Sequence, residues 1–386
     1  MNILKFIIIL VVMLLVVGGT NYYLAKRCFQ CVSFILPNIP LGAYITIFSI
    51  VILIMGVGFM RSLLPIPTFI KHILAALSSY LMGFCIYLFL FTVVVDFVLL
   101  VCRLFKLFSV SVPNVRFVSG IIIFVLATFT TIYGVCHAKQ IKTVNYNVKV
   151  EEKNVNNNWN IVMISDLHLG AVGSENRLND IVNKINELNP DLICIVGDFF
   201  DTDFNAIKNP QQAIDIFKQL KTKYGIYMCP GNHDSGKTLE QMKSFLDNCN
   251  IKVLEDEYTI INNEIVLVGR LDSTPIGGYG NLHRKDVDEV LSGISDNLPV
   301  IVMDHNPVSV TEYKDNVDLV LAGHTHKGQV FPGNLFTNLT YEVDYGYYRK
   351  DGNSPQVIVS SGVGTWSMPM RVGTNCEIVQ IDLHTN

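Results

Sequence analysis

Five clusters of oxygen- and nitrogen-bearing side chains recur along the chain in a fixed order. They are Asp166-Leu167-His168, Gly197-Asp198-Phe199-Phe200-Asp201, Gly231-Asn232-His233-Asp234, Asp304-His305-Asn306-Pro307 and Gly323-His324-Thr325-His326. None contains cysteine. Carboxylate, carboxamide and imidazole donors suit Mn, Fe, Zn or Co ions that also hold water and phosphate oxygens. Two such ions clamp both the attacking and the leaving oxygen of an in-line displacement. The ordered set therefore predicts a dinuclear metallohydrolase.

Taken singly, each cluster is an ordinary loop feature: Gly231-Asn232 reads as a hairpin turn, His305 ahead of Pro307 as a loop histidine, and Asp201 as a solvated acid. Jointly that reading fails. Imidazoles and carboxylates gathered at one rim would repel or stay unpaired without cations to hold them.

The clusters need a frame, and each one ends an apolar run. Runs rich in β-branched residues recur at 161–164, 192–196, 226–228, 265–268, 300–303, 319–321, 357–359 and 378–381, which predicts strands alternating with helices. Between the first two, Leu178, Ile181, Val182, Ile185 and Leu188 repeat at helical spacing, with Ser174 as cap and Pro190 past the end. Ligands at the carboxyl ends of buried strands sit where open α/β sheets gather their sites. No internal repeat is present.

The first third of the chain is different material. Of 386 residues 50% are hydrophobic and 16% charged, and the apolar excess lies at the front. Four stretches, at about 6–20, 41–60, 73–102 and 117–135, are nearly free of charge and long enough to span a bilayer. The first reads as a retained anchor, because no small-residue cleavage site follows it. Asp96 lies inside the third, where a carboxylate is costly and is expected to face the bundle or snorkel. Basic residues divide evenly: Lys26, Arg27, Arg103, Lys106 and Arg116 against Lys5, Arg61, Lys71, Lys139 and Lys142, so orientation stays open. The nine cysteines show no disulfide spacing, and Cys28-Phe29-Gln30-Cys31 reads as interfacial packing. After His137 the composition turns polar. Residues 139–160, Asn-rich from Asn154, read as a linker with an opening hairpin or edge strand.

On the five clusters, on Gly323-His324-Thr325-His326-Lys327-Gly328-Gln329 and on the closing Ser361-Gly362-Val363-Gly364-Thr365-Trp366, the chain resembles the calcineurin-like metallophosphoesterase superfamily. Within it, the likeness is to membrane-associated bacterial phosphoesterases of the YkuE type. It covers about residues 160–383, and the spans match only in general arrangement. Relatives usually carry Gly where this chain has Lys327, so a Lys there either crowds the loop or reaches a substrate phosphate.

The resemblance implies an α/β fold: a four-layer αββα sandwich over residues 159–386, preceded by an α-helical transmembrane region over 1–138 and a linker over 139–158. It implies that Asp166, His168 and His326 hold one metal and Asn232, His305 and His324 the other, with Asp198 bridging. A shared carboxylate would keep the cations about 3.5 to 4 Å apart, and water between them would become hydroxide near neutral pH and attack phosphorus. His233 would protonate the leaving oxygen or steady its charge, with Asp201 orienting its ring and Asp234 behind them. Arg270, His283 and Arg284 read as a solvated insertion or as substrate contacts, and Arg371 and Trp366 as packing or as phosphate binders. Tyr345, Tyr347 and Tyr348 fit sheet packing or a lipid-facing mouth.

Two functions from different classes fit. One is a multi-pass phosphoesterase of a bacterial cytoplasmic membrane, acting on mono- or diesters of a lipid or lipid-linked substrate. The other is a transport or signalling scaffold with an inactive phosphoesterase-like domain. The complete donor set and the lone intramembrane acid favour the first. A net charge of −4 with no Lys/Arg stripe speaks against a nucleic-acid partner.

Overall fold

The computed structural model describes residues 3–61, 64–107, 113–150, 158–295, 297–314, 316–352 and 354–385. They form two compact units, Met1–Tyr133 and Gly134–Asn386.

The first unit holds α1 (Ile3–Val32), α2 (Leu41–Phe59), α3 (Thr68–Leu104) and most of α4 (Pro113–His137). Three segments, Leu41–Phe59, Thr68–Leu104 and Asn114–His137, are long and apolar enough to cross a membrane. The first expected stretch lies in α1, where several side chains fall outside the described residues. Leu53, Phe97 and Phe129 point outward from their helices, an arrangement that suits lipid rather than water. Asp96 faces the bundle. Its carboxylate accepts from Arg27 Nε at 2.8 Å and from the Tyr23 hydroxyl at 2.8 Å, and Arg27 Nη2 donates to Ser119 Oγ at 2.7 Å. Pairing offsets the cost of placing a carboxyl group in this apolar segment.

The second unit continues with β1 (Ile141–Val150), β2 (Trp159–Ile164), α5 (Leu178–Glu187), β3 (Leu192–Val196), α6 (Pro210–Phe217), β4 (Ile226–Cys229), α7 (Leu239–Asn248) and β5 (Ile251–Val253). Then come β6 (Glu257–Ile261), β7 (Ile265–Gly269), α8 (Val287–Val290), β8 (Val300–Met303), β9 (Leu319–Ala322), α9 (Gly333–Thr340), β10 (Gly346–Tyr348), β11 (Gln356–Val359) and β12 (Cys376–Thr385). One six-stranded sheet has the order β1-β12-β2-β3-β4-β5, the other β10-β11-β9-β8-β7-β6.

Period-two alternation in these strands builds the layers. Ile161 and Met163 of β2 and Cys194 and Val196 of β3 meet Leu267, Ile301, Met303 and Leu321 of the second sheet. The alternate residues Val162, Ile164, Ile193 and Ile195 face the opposite way, onto Leu178, Ile181, Val182 and Ile185 of α5, Phe217 of α6 and Phe245 of α7. On the far side Val266, Val268, Val300 and Val302 pack on Val290, Leu291, Val310 and Tyr313. Three apolar interfaces make a four-layer αββα sandwich. A strand buried on both faces must be apolar throughout, hence the continuous runs in the sequence.

Residues 141–150, read within a linker plus an opening hairpin or edge strand, form the edge strand β1, which runs parallel to β12 from Ile141↔Cys376 to Val150↔Thr385; the Asn-rich stretch up to residue 157 lies outside the described residues. One local expectation changes. Ser174 does not cap α5. Its hydroxyl accepts from Gly170 N–H at 3.1 Å and donates to the Ala171 carbonyl at 2.9 Å, closing the loop after His168, while Arg177 precedes the helix.

Candidate metal centre

β2, β3 and β4 run parallel in one sheet, and β7, β8 and β9 run parallel in the other. The chain leaves these strands straight into the polar clusters: Asp166 and His168 after β2, Asp198 after β3, Asn232 after β4, His305 after β8 and His324 after β9. The sandwich thereby brings the carboxyl ends of both sheets to one rim. Three sets of residues there hold donor atoms all within 4.8 Å of one another: Asp166, His168 and His326; His168, Asp198 and His233; and Asp198, His305 and His324.

Asp166 Oδ1 lies 3.3 Å from His326 Nε2, and His326 Nε2 is 3.1 Å from His168 Nε2. On the other side Asp198 Oδ2 is 3.1 Å from His305 Nε2, and Asn232 Oδ1 is 2.9 Å from His324 Nδ1. Asp198 stands between, with Oδ2 also 3.7 Å from His168 Nε2 and Oδ1 accepting from the His233 N–H at 2.8 Å. All seven residues expected as ligands therefore converge.

The donor set fits cations. Asp166, His168, Asp198 and His305 are almost wholly buried, and buried charges need partners. His305 Nδ1 faces the Val196 carbonyl at 2.9 Å, and its Nε2 is turned into the centre, where Asp198 Oδ2 stands 3.1 Å away. A ring donating through Nδ1 turns an Nε2 lone pair toward the centre, the usual orientation for a metal-bound imidazole. Backbone strain concentrates here too. Asp166, His168, Asp198, His324 and His326 all have φ between 49° and 69°, a region costing on the order of 1–3 kcal/mol per non-glycine residue. Gly197, at φ 70°, has no alternative, because a Cβ there would lie 2.4 Å from His305 Nδ1.

Electrostatics are strongly polarised. Burial alone would raise the Asp198 carboxyl, but His305 and then His168 outweigh it and hold the group well below the usual carboxylate range. Burial would lower His305, yet Asp198 and Asp166 raise it well above an ordinary imidazole; His168 is raised against burial by Asp201, Asp198 and Asp166. His324 is lowered by burial and His305, and His326 is lowered strongly by burial, Arg371 and His168. Burial and the neighbouring Asp198 push Asp234 up to about 7. Asp234 also accepts from the N–H groups of Phe199, Phe200 and Gly231 at 3.2, 2.9 and 2.9 Å, welding the loop after β3 to the loop after β4.

The orienting partner of His233 differs from expectation. Its Nδ1 is 2.6 Å from Thr202 Oγ1, while Asp201 Oδ1 is 3.6 Å from His168 Nδ1. Thr202 holds φ at 63°, unusual for a β-branched residue, and this turn aims its hydroxyl at the ring while Asp201 is directed to His168. Arg371 is not mere packing. It is fully buried, its Nη1 donates to the His326 carbonyl at 2.8 Å, and its Nη2 lies 3.2 Å from His326 Nδ1 and donates to the Ser361 and Gly364 carbonyls. Trp366 is half exposed with its ring 6.1 Å from that of His233. Lys327 Nζ sits 3.8 Å above the Tyr345 ring.

The expected solvated insertion is also corrected. Arg284 donates to Asp304 at 2.7 and 3.1 Å, which ties it to the residue before His305. Arg270 pairs with Asp256 at 2.6 Å, both about 1% exposed; His283 alone is exposed. Asp256→Ala would strand the Arg270 charge and is expected to cost about 3–5 kcal/mol, read as a lowered unfolding midpoint. Tyr345, Tyr347 and Tyr348 donate to Glu377, Gln356 and Glu342, at 3.0, 3.0 and 2.9 Å, and so serve the sheet edge.

A family model described as calcineurin-like phosphoesterase matches residues 160–328. A zebrafish (Danio rerio) transmembrane protein with metallophosphoesterase domain is 31% identical over 303 residues, 73% of this chain and 68% of that protein. An uncharacterized metallophosphoesterase of Campylobacter jejuni is 28% identical over 98% of both chains. One from Helicobacter pylori is 31% identical over 58% of this chain, and the match spans 59% of the Helicobacter protein's length. With the matched segment running from the start of β2 through the last histidine cluster, the chain belongs to the calcineurin-like metallophosphoesterase family, whose members use divalent metals.

Proposed function

We propose that this chain is a multi-pass membrane-anchored phosphoesterase with a dinuclear metal centre, cleaving phosphate mono- or diesters of a lipid or lipid-linked substrate. The supporting observation is the two donor groups on either side of Asp198, whose Oδ2 lies 3.7 Å from His168 Nε2 and 3.1 Å from His305 Nε2: Asp166, His168 and His326 on one side, His305, His324 and Asn232 on the other. Two divalent ions of the Mn, Fe, Zn or Co type, bound there, would supply Lewis acidity and a water made acidic enough to ionise near neutral pH. The chain's own groups do the rest. Asp198 and Asp166 balance the charge, His305 is fixed by its bond to Val196, and Asp234 holds the two central loops in register. The helices of the first unit serve as membrane anchor and the second unit, with β1 at its sheet edge, as catalytic domain, with Asp96 engaged in holding the bundle rather than lining a path. A complete donor set at strained backbone positions supports an active enzyme over an inactive scaffold domain.

Elemental analysis of the purified chain, joined to hydrolysis of a panel of phosphate mono- and diesters with and without chelator, tests the proposal. About two ions per chain and chelator-sensitive hydrolysis are expected; a metal-loaded protein inert to every ester class would overturn it.

Metal affinity should rise with pH. In the metal-free site the carboxylates around them raise the pKa values of His305 and His168 against the effect of burial, which favours the protonated rings. Binding must displace those protons, so acid competes with metal and affinity falls as pH drops. Calorimetry in buffers of different ionisation enthalpy should show proton release of at least about one per chain. No release at pH 7 would contradict the charged state of these rings.

A further inference from the structure

α9 departs from the pattern of the other catalytic-unit helices: none of its side chains is buried, and it carries no charge. Leu335, Phe336 and Leu339 stand exposed, Phe336 at 67% and Leu339 at 85%. Spaced at i, i+1 and i+4, they share one face. A concentrated apolar face on a soluble surface marks an interaction site. The helix is also fixed to the metal loop. Thr337 Oγ1 donates to Asp344 Oδ2 at 2.9 Å, and Thr325 Oγ1, between His324 and His326, donates to the Asp344 carbonyl at 2.6 Å.

A second observation says what covers this face. The last turn of α4, which ends a segment able to cross a membrane, belongs to the catalytic unit. The Gly134 carbonyl accepts from Arg371 N–H at 3.0 Å, and His137 Nε2 lies 3.1 Å from Asn375 Oδ1. Contact is close: a Cβ on Gly134 would lie 2.8 Å from both Met370 Cε and Val372 Cγ2. Val372 in turn accepts from Phe331 N–H at 2.8 Å, donates to the Gln329 carbonyl at 3.2 Å and bridges to Val330, at the entry to α9. The half-exposed Trp366 hangs on the same loop, its N–H donating to Gln329 Oε1 at 2.8 Å. One short path therefore joins the end of a membrane-spanning helix to the exposed apolar helix beside the metal ligands.

We propose that the apolar face of α9 seats in the lipid surface from which α4 emerges, holding the metal centre at headgroup level. The seating rests on α4 as a span; its bearing on substrate rests on the phosphoesterase reading above. An uncharged helix presenting Leu and Phe suits the boundary between headgroups and acyl chains. Tethering keeps that surface at high effective concentration, so a small patch suffices where it would not hold a free protein.

The full chain, reconstituted in vesicles of phosphatidylcholine and phosphatidylglycerol, provides the test. In Leu339→Trp the new indole should be quenched by nitroxide-bearing lipid and shielded from aqueous iodide. Quenching by iodide instead overturns the proposal, and shielding from both overturns it in favour of a protein partner. In parallel, Leu335→Ser/Phe336→Ser/Leu339→Ser should lower hydrolysis of a phosphorylated lipid in the vesicle by about tenfold or more, since one buried Leu or Phe corresponds to at least about that factor. Hydrolysis of a water-soluble ester by the same protein should change by less than about twofold. Equal loss on both substrates, or no loss on either, sinks the seating. If neither substrate is hydrolysed even by the parent chain while the quenching result holds, the phosphoesterase reading fails and the seating stands.

Discussion

On the proposed dinuclear reading, Asp198→Asn should leave the protein folded, lower bound metal from about two ions to one or fewer, and reduce phosphoester hydrolysis by more than about a thousandfold. The size follows from position. Asp198 is the residue common to both halves of the site, 3.1 Å from His305 Nε2 and 3.7 Å from His168 Nε2 through one oxygen. The substitution keeps the shape, and an amide oxygen can still accept the His233 N–H that Oδ1 accepts at 2.8 Å. What it removes is the negative charge that holds His305 far above its ordinary pKa and would balance two cations. Elemental analysis gives the metal content, thermal unfolding of the metal-free proteins separates folding from binding, and turnover on a soluble ester gives the loss. Two ions retained by the variant would remove Asp198 from the bridging role.

Much of this site was legible because its chemistry follows burial. Strands β2, β3, β4, β8 and β9 are almost wholly buried, so they appear as apolar runs, and the proposed donors follow within four residues of the end of each. Shorter or partly solvated elements showed weakly or not at all. β1 mixes Lys, Thr and Asn with its apolar residues because it lies at a sheet edge and alternates exposed with buried positions. β5 and β10 are three residues long, too short for any period to register. Nor could sequence alone place Thr202 on His233 or Arg371 on His326. Those partners lie 31 and 45 residues apart: the first pair meets because β3 and β4 are neighbours in one sheet, the second because loops of the two sheets converge at one rim. α9 was missed because it is eight residues long, and its Leu335, Phe336 and Leu339 are too few for a helical period to register. Conversely, Arg270 and Arg284 lay in a polar stretch that read as solvated, and only the fold shows their carboxylate partners.

His233→Ala should keep the metals and lose about two to four powers of ten in turnover, the usual worth of a positioned proton donor. The ring stands in the set with His168 and Asp198 but engages the rest of the protein through its other nitrogen, 2.6 Å from Thr202 Oγ1. A threonine hydroxyl donating to Nδ1 would leave the ring proton on Nε2, the atom free to meet a leaving oxygen. Burial, with His168 nearby, lowers the ring's pKa, so at neutral pH the neutral imidazole prevails. The group then acts by donating a hydrogen bond from Nε2–H to the oxygen as its charge develops, without needing to begin as imidazolium. Two consequences separate this from a structural role. The loss should be largest for alkyl esters, whose leaving oxygens most need a proton, and should shrink toward tenfold or less for a nitrophenyl ester. Activity of the parent chain should also persist well above the ordinary imidazole pKa, because deprotonation of a cationic ring is not the limiting event. Thr202→Val should share the leaving-group dependence at smaller amplitude, whereas Thr202→Ser, which keeps the hydroxyl, should recover most of the activity. Uniform loss across all leaving groups, with unchanged metal content, would make His233 a binding residue and detach Thr202 from the chemistry.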